Sequence, residues 1–180
     1  GCGGNAQVYG TGSTSSGNAI LGNVIRRNGG IAIDLGNDGS TANDGAKTTG
    51  QPNLLIDTPV FTTSAYSGST LTVAGYVGNG AGSATFASAR VEVFVADTFA
   101  AGNIQAQTYL GPLTTDASGK FSGTFSVPSG ITPGTSQIVA TATDGSNNTS
   151  ELSAGALVAF PGAISGTVFE DVHYGGGGGR

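Results

Sequence analysis

From Gly17 to Gly36 the chain reads GNAILGNVIRRNGGIAIDLG. Short apolar runs alternate with Gly and Asn turns, and no helical period runs through them. Such a text suits short strands wound into a solenoid, a parallel β-helix in which each coil stacks on a neighbour. Ile20, Val24, Ile25, Ile31 and Ile33 are predicted to point into the coil. Asn18, Asn23 and Asn28 recur at every fifth position. Asparagine suits such turns because it tolerates left-handed backbone and bonds locally. Fewer than about three coils are normally unstable alone. Residues 1–56 therefore read as the end of a longer solenoid or as one that a partner caps.

The pattern changes after Gly36. Residues 37–56 form a polar loop with turn signals at Asp38-Gly39 and Asp44-Gly45. Residues 57–160 then alternate with period two. Leu71, Val73 and Val77 share one strand face, with Thr72, Ala74 and Tyr76 on the other. Val91, Val93 and Val95 are predicted to face a core, while Arg90, Glu92 and Phe94 face away. Thr108–Leu113 reads as a further strand. Past the turn Asp116-Ala117-Ser118-Gly119, Phe121, Phe125 and Val127 alternate with Lys120, Ser122, Thr124 and Ser126. Ile138–Thr143 and Ala156–Phe160 close the set. Turns at intervals of about 8–12 residues between such strands indicate an antiparallel β-sandwich of immunoglobulin-like size. Ile164–Tyr174 in 161–180 is one more amphipathic strand, followed by a glycine run. A lone strand needs an edge to pair with. Ile164, Val168, Phe169 and Val172 are the candidate pairing residues, toward a neighbouring module or a second copy.

Composition narrows the function. Charged residues are only 9 % and the net charge is −5. No basic stripe exists to neutralise phosphates, which disfavours nucleic acid as a partner. No apolar run approaches the roughly 18 residues of a membrane-spanning helix. With 33 Gly, no Met and a start at Gly1, the chain reads as an internal or processed segment. Gly, Ser, Thr and Asn in place of Lys and Glu is a surface style common in secreted bacterial β-proteins.

Taken as a set, these residues resemble a known architecture. GNVIRRNGGIAIDLGNDG with its Asn/Asp loop resembles the last coils of right-handed parallel β-helix repeat proteins of the bacterial surface. TYLGPLTTDASGKFSGTF with IVATATDGSNNTSELS resembles the immunoglobulin-like sandwich that often follows such helices. ISGTVFEDVHYGGGGGR resembles the opening strand of prealbumin-like repeat modules. The resemblance implies an all-β chain: terminal coils of a parallel β-helix (1–56), an immunoglobulin-like sandwich (57–160), and a connecting strand (161–180). The chain is therefore expected to be a non-enzymatic, extracellular or cell-surface bacterial module, a stalk or adhesin; its incomplete solenoid and the unpaired strand Ile164–Tyr174 are complementary edges, so its expected partners are neighbouring modules or copies of itself assembling head to tail. The alternative is an accessory module of a polysaccharide-active or glycan-binding β-helix protein.

Reactive side chains are sparse. His173 and Cys2 are single and lie at opposite ends of the chain, so no histidine-dependent nucleophile is legible. The ion that would suit the loop is calcium, which takes carboxylate, amide and carbonyl oxygens. Asn37, Asp38, Asn43 and Asp44 are the candidate ligands, and the hairpin from Asp144 to Asn148 with Glu151 offers a second set. Asp and Asn are also favoured in turns for conformational reasons alone.

Overall fold

The structure is a computed structural model that describes residues 15–100, 103–127 and 130–160, together with the backbone of 6–8. The chain is all-β. Its strands are β1 (Ala6–Val8), β2 (Ile33–Leu35), β3 (Pro59–Ser67), β4 (Thr70–Val77), β5 (Arg90–Ala100), β6 (Asn103–Thr114), β7 (Lys120–Ser126), β8 (Gln137–Thr143) and β9 (Ala156–Leu157). Two antiparallel sheets carry most of it, one ordered β3-β4-β7 and the other β6-β5-β8-β9. β1 and β2 form a separate parallel pair, with Ala6 opposite Ile33 and Val8 opposite Leu35.

The two antiparallel sheets face each other across one apolar core. Leu71, Val73, Val77, Phe121 and Phe125 come from the first sheet. Val91, Val93, Ile138, Ala140 and Ala142 come from the second. Strand alternation alone selects these residues, because successive side chains point to opposite faces. Ile56, Phe86 and Val158 enter from connecting segments. Phe86 arrives on the 3₁₀ turn Ala84–Phe86 that carries the chain from β4 across to β5. Each such side chain contributes about 1.5–3 kcal/mol when fully buried.

β3 was not among the strands legible in the sequence. Its register against β4 shifts between Phe61 and Thr63, which breaks the alternation that would have announced it. A Cβ at Gly75 would collide with the Val60 carbonyl oxygen, so only glycine admits this close approach.

The outer face of the β6-β5-β8-β9 sheet departs from expectation. Phe94, Ala96, Ala106 and Val139 form a second apolar cluster there, flanked by Ile104 and Leu152. Glu92, predicted to face away from the core, does so, yet it is only 1 % exposed. The cover is the segment from residue 15 to residue 41. It lies on this face largely without strand structure, touching the edge strand through an antiparallel bridge between Ile25 and Ala106. Ala32, Ile33 and Leu35 are buried. Val24 is a correction: it is 49 % exposed, because the bridge at Ile25 turns its neighbour outward.

Candidate functional site: a buried polar seam

An irregular segment lying on a sheet carries backbone N–H groups with no ladder to join, and each needs a partner. Here the outer face of the sheet, with the turns beside it, supplies them. Glu92 Oε2 on β5 accepts the Gly22 N–H at 2.6 Å. Gln105 on β6 clamps one residue from both sides: its Oε1 accepts the Asn28 N–H at 2.9 Å, and its Nε2 donates to the Asn28 carbonyl at 2.8 Å and to that of Gly30 at 2.9 Å. Glu151 Oε1 takes the Leu35 N–H at 2.9 Å, and Oε2 takes that of Thr41 at 2.7 Å. Asn148 Oδ1 accepts the Gly17 N–H at 2.7 Å, and the Thr149 hydroxyl accepts that of Ile20 at 2.9 Å. Bonds to the ionised groups are the stronger ones.

Asn53 locks one end of the seam and is fully buried. Its Nδ2 donates to the carbonyls of Asn18 and Thr149, both at 2.9 Å, and its Oδ1 accepts the Asn18 N–H at 3.0 Å. The backbone there is left-handed at three successive residues: Asn53 (φ 44°), Leu54 (φ 57°) and Leu55 (φ 44°). Such a conformation costs about 1–2 kcal/mol per non-glycine residue. The buried bonds of Asn53 and the packing of Leu54 against the main core hold it in place.

The loop residues singled out for calcium form part of the same fabric. Asn37 is left-handed (φ 62°). The Asp38 N–H donates to Asp34 Oδ1 at 3.2 Å, which caps the turn after β2. Asn43 is occupied at both ends: Nδ2 donates to the carbonyls of Thr58 and Gly78, each at 2.9 Å, while Oδ1 accepts the Thr58 N–H at 2.8 Å. Asp44 Oδ1 accepts the Ala46 N–H at 2.8 Å. Asp57, which sequence reasoning did not single out, accepts the N–H groups of Asp44 at 3.2 Å and Gly45 at 2.7 Å. Thus Asn37 and Asp38 belong to a turn capped by Asp34, and Asn43 and Asp44 to one capped by Asp57. Among the described residues, no group of three or more His, Cys, Asp or Glu is placed to hold a metal ion.

In the second set, Asp144 is inward and heavily bonded. Oδ1 accepts the N–H groups of Ser146 at 2.9 Å and Asn148 at 3.0 Å. Oδ2 accepts Lys47 Nζ at 2.8 Å. Asn148 Nδ2 donates to both oxygens at 3.1 Å.

Burial and bonding set the charges of these groups against one another. Burial raises the Glu151 carboxyl above its ordinary range, and the bonds from Thr41 and Leu35 only partly offset it. Asp57 is raised for the same reason, against the bonds from Gly45 and Asp44. Burial pushes Asp144 upward too, but the bonds from Lys47, Asn148 and Ser146 together outweigh it and leave it lowered. At the other end of the seam Arg90 donates to Glu92 Oε1 through Nε at 2.9 Å and a terminal nitrogen at 2.7 Å, and its pKa is raised by that bond.

The candidate pairing residues Ile164, Val168, Phe169 and Val172 lie outside the described residues, as do Cys2 and His173. No helix of the described residues is long and apolar enough to cross a membrane. No family model matches the chain.

Proposed function

We propose that this chain is a non-enzymatic structural module of a large extracellular bacterial surface or secreted protein. In this reading, terminal coils of a parallel β-helix are joined to an immunoglobulin-like sandwich so that the two bear load together. Its partners are neighbouring modules of the same chain or copies of itself. One observation carries the reading: buried polar side chains on the outer sheet face and in the segment between β8 and β9 are spent on gripping the backbone of residues 17–41. Glu92, Gln105, Asn148 and Glu151 each hold a different point of that path. The parallel pairing of β1 with β2 supports the solenoid part, since parallel neighbours joined by a winding chain are what a coil produces.

Pulling single molecules from both ends tests this. A load-bearing junction gives one dominant rupture in which residues 15–56 and the sandwich yield together. Release of the amino-terminal segment in a separate event at much lower force would refute the reading.

A further inference from the structure

Asparagine is followed by glycine twice in this chain, at Asn28-Gly29 and Asn79-Gly80. In such a pair the glycine nitrogen can close on the asparagine side-chain carbonyl, because no side chain hinders it and its backbone turns freely. The fold treats the two pairs oppositely. We propose that Asn79 is a site of spontaneous deamidation, which the structure withholds from Asn28, and that the change loosens the turn at Asp44 from the sandwich.

Asn28 is 5 % exposed. The peptide joining it to Gly29 contains the attacking nitrogen, and that peptide is pinned: its carbonyl accepts from Gln105 Nε2 at 2.8 Å. The Asn28 N–H is held as well, by Gln105 Oε1 at 2.9 Å. Ring closure needs rotation about the bonds between these two groups, and the clamp opposes it. Asn79 lies just past the end of β4 and is exposed, between Gly78 and Gly80. Among the described residues neither its carbonyl nor the Gly80 N–H has a hydrogen-bond partner. Beyond its chain neighbours, no atom lies within 4 Å of where a Gly80 Cβ would stand, so this peptide has room to turn. One exposed bond restrains the side chain: Nδ2 donates to the Asp44 carbonyl at 2.8 Å. Water replaces such a bond at little net cost.

The step balances with water as its only co-reactant. The Gly80 nitrogen gives up its proton to hydroxide and attacks Cγ of Asn79, and the N–Cγ bond forms. The Cγ–Nδ2 bond breaks, and Nδ2 takes up a proton from water and leaves as ammonia. Water then opens the five-membered imide at either carbonyl carbon, giving aspartate or isoaspartate. Nothing is oxidised or reduced. Either product lacks the Nδ2 donor that held the Asp44 carbonyl. Either also adds a negative charge beside a turn that already carries Asp44 and the buried Asp57, and like charges so placed repel. The neighbouring tie, from Asn43 Nδ2 to the Gly78 carbonyl at 2.9 Å, borders the altered residue. None of this depends on the structural-module reading.

The test incubates the purified 180-residue chain at mildly alkaline pH, both folded and unfolded in guanidinium. Tryptic mapping with enzymatic methylation of isoaspartate then reads each site. Cleavage at Arg27, Lys47 and Arg90 puts Asn28 and Asn79 on different peptides. In the folded chain Asn79 is expected to convert to aspartate and isoaspartate while Asn28 persists; in the unfolded chain both convert. A folded chain that keeps Asn79 intact, or converts Asn28 as fast, overturns the proposal. At Gly80 the backbone is not left-handed and a Cβ meets open space, so Gly80→Ala is expected to fold. Its added side chain should slow conversion by roughly tenfold, since glycine's freedom is lost. An unchanged rate would rule out attack by the Gly80 nitrogen. Asn79→Asp carries the product's charge and is expected to quicken hydrogen exchange at Asp44 and Gly45 relative to Val91. Unaltered exchange there would overturn the loosening of the turn.

Discussion

The two faces of the β6-β5-β8-β9 sheet are held by different physics. The inner face packs Val91, Val93, Ile138, Ala140 and Ala142 against a second sheet. That attraction is non-directional and scales with area. The outer face carries Phe94 and Val139 but also Glu92, Gln105 and Thr141, and its cover is held largely by aimed hydrogen bonds. An apolar face accepts any partner of suitable shape. A polar buried face accepts only one whose donors fall in the right places, because each unmatched group costs more than a made bond returns. The inner face thus supplies most of the stability, and the outer face fixes which segment lies on it and in what register.

The largest expected effect is on the inner side. Phe86→Ala empties a fully buried position and should cost about 3–5 kcal/mol in urea unfolding. A loss under 1 kcal/mol would mean that the turn carrying Phe86 is not part of the core.

The second effect separates the faces. Glu151→Ala leaves the Leu35 and Thr41 amides without their acceptor, at a cost of about 1–3 kcal/mol. Hydrogen exchange should quicken sharply at Leu35 and Thr41 while Val91 and Val93 stay protected relative to global unfolding. Equal loss of protection at all four would show that the faces do not open separately.

The smallest effect is in the pH dependence, where the groups oppose each other. Glu151 has a raised folded-state pKa, so its contribution is fully present below its unfolded value and fades as pH rises through the folded one. Asp144 is lowered, so its contribution is present above its unfolded value and fades as pH falls through the folded one. Melting temperature measured against pH should therefore show the wild type losing ground to Glu151→Gln on going from acid to neutral. Against Asp144→Asn the wild type should gain over the lower part of the same range. Parallel curves for all three chains would contradict the assigned directions.

The inner face was legible because its signal is local. Leu71, Val73, Val77, Phe121 and Phe125 announce themselves by alternation within one strand, and the structure buries all of them. Alternation also placed Glu92 on the correct side. It could not tell that side from solvent, since what covers Glu92 comes from Gly22, far away in the chain. The seam was illegible for a further reason. Its donors at Gly17, Gly22 and Leu35 are backbone amides, which every residue but proline has. Asn53 left no mark either, because its left-handed neighbours are leucines, residues that give no hint of such a backbone. Asn43 and Asp44 were noticed for their oxygen atoms. In the fold Asn43 holds the start of β3, and Asp44 closes its own turn.

A grip on backbone amides has a consequence for descent. The seam reads the path of the segment from Gly17 to Thr41 rather than its side chains. Exposed positions such as Asn23 and Arg26 can drift through many generations without loosening it, whereas Glu92, Gln105, Asn148 and Glu151 cannot change alone. Lineages sharing this junction would keep a sparse set of residues on the sheet and lose recognisable similarity first in the segment those residues hold.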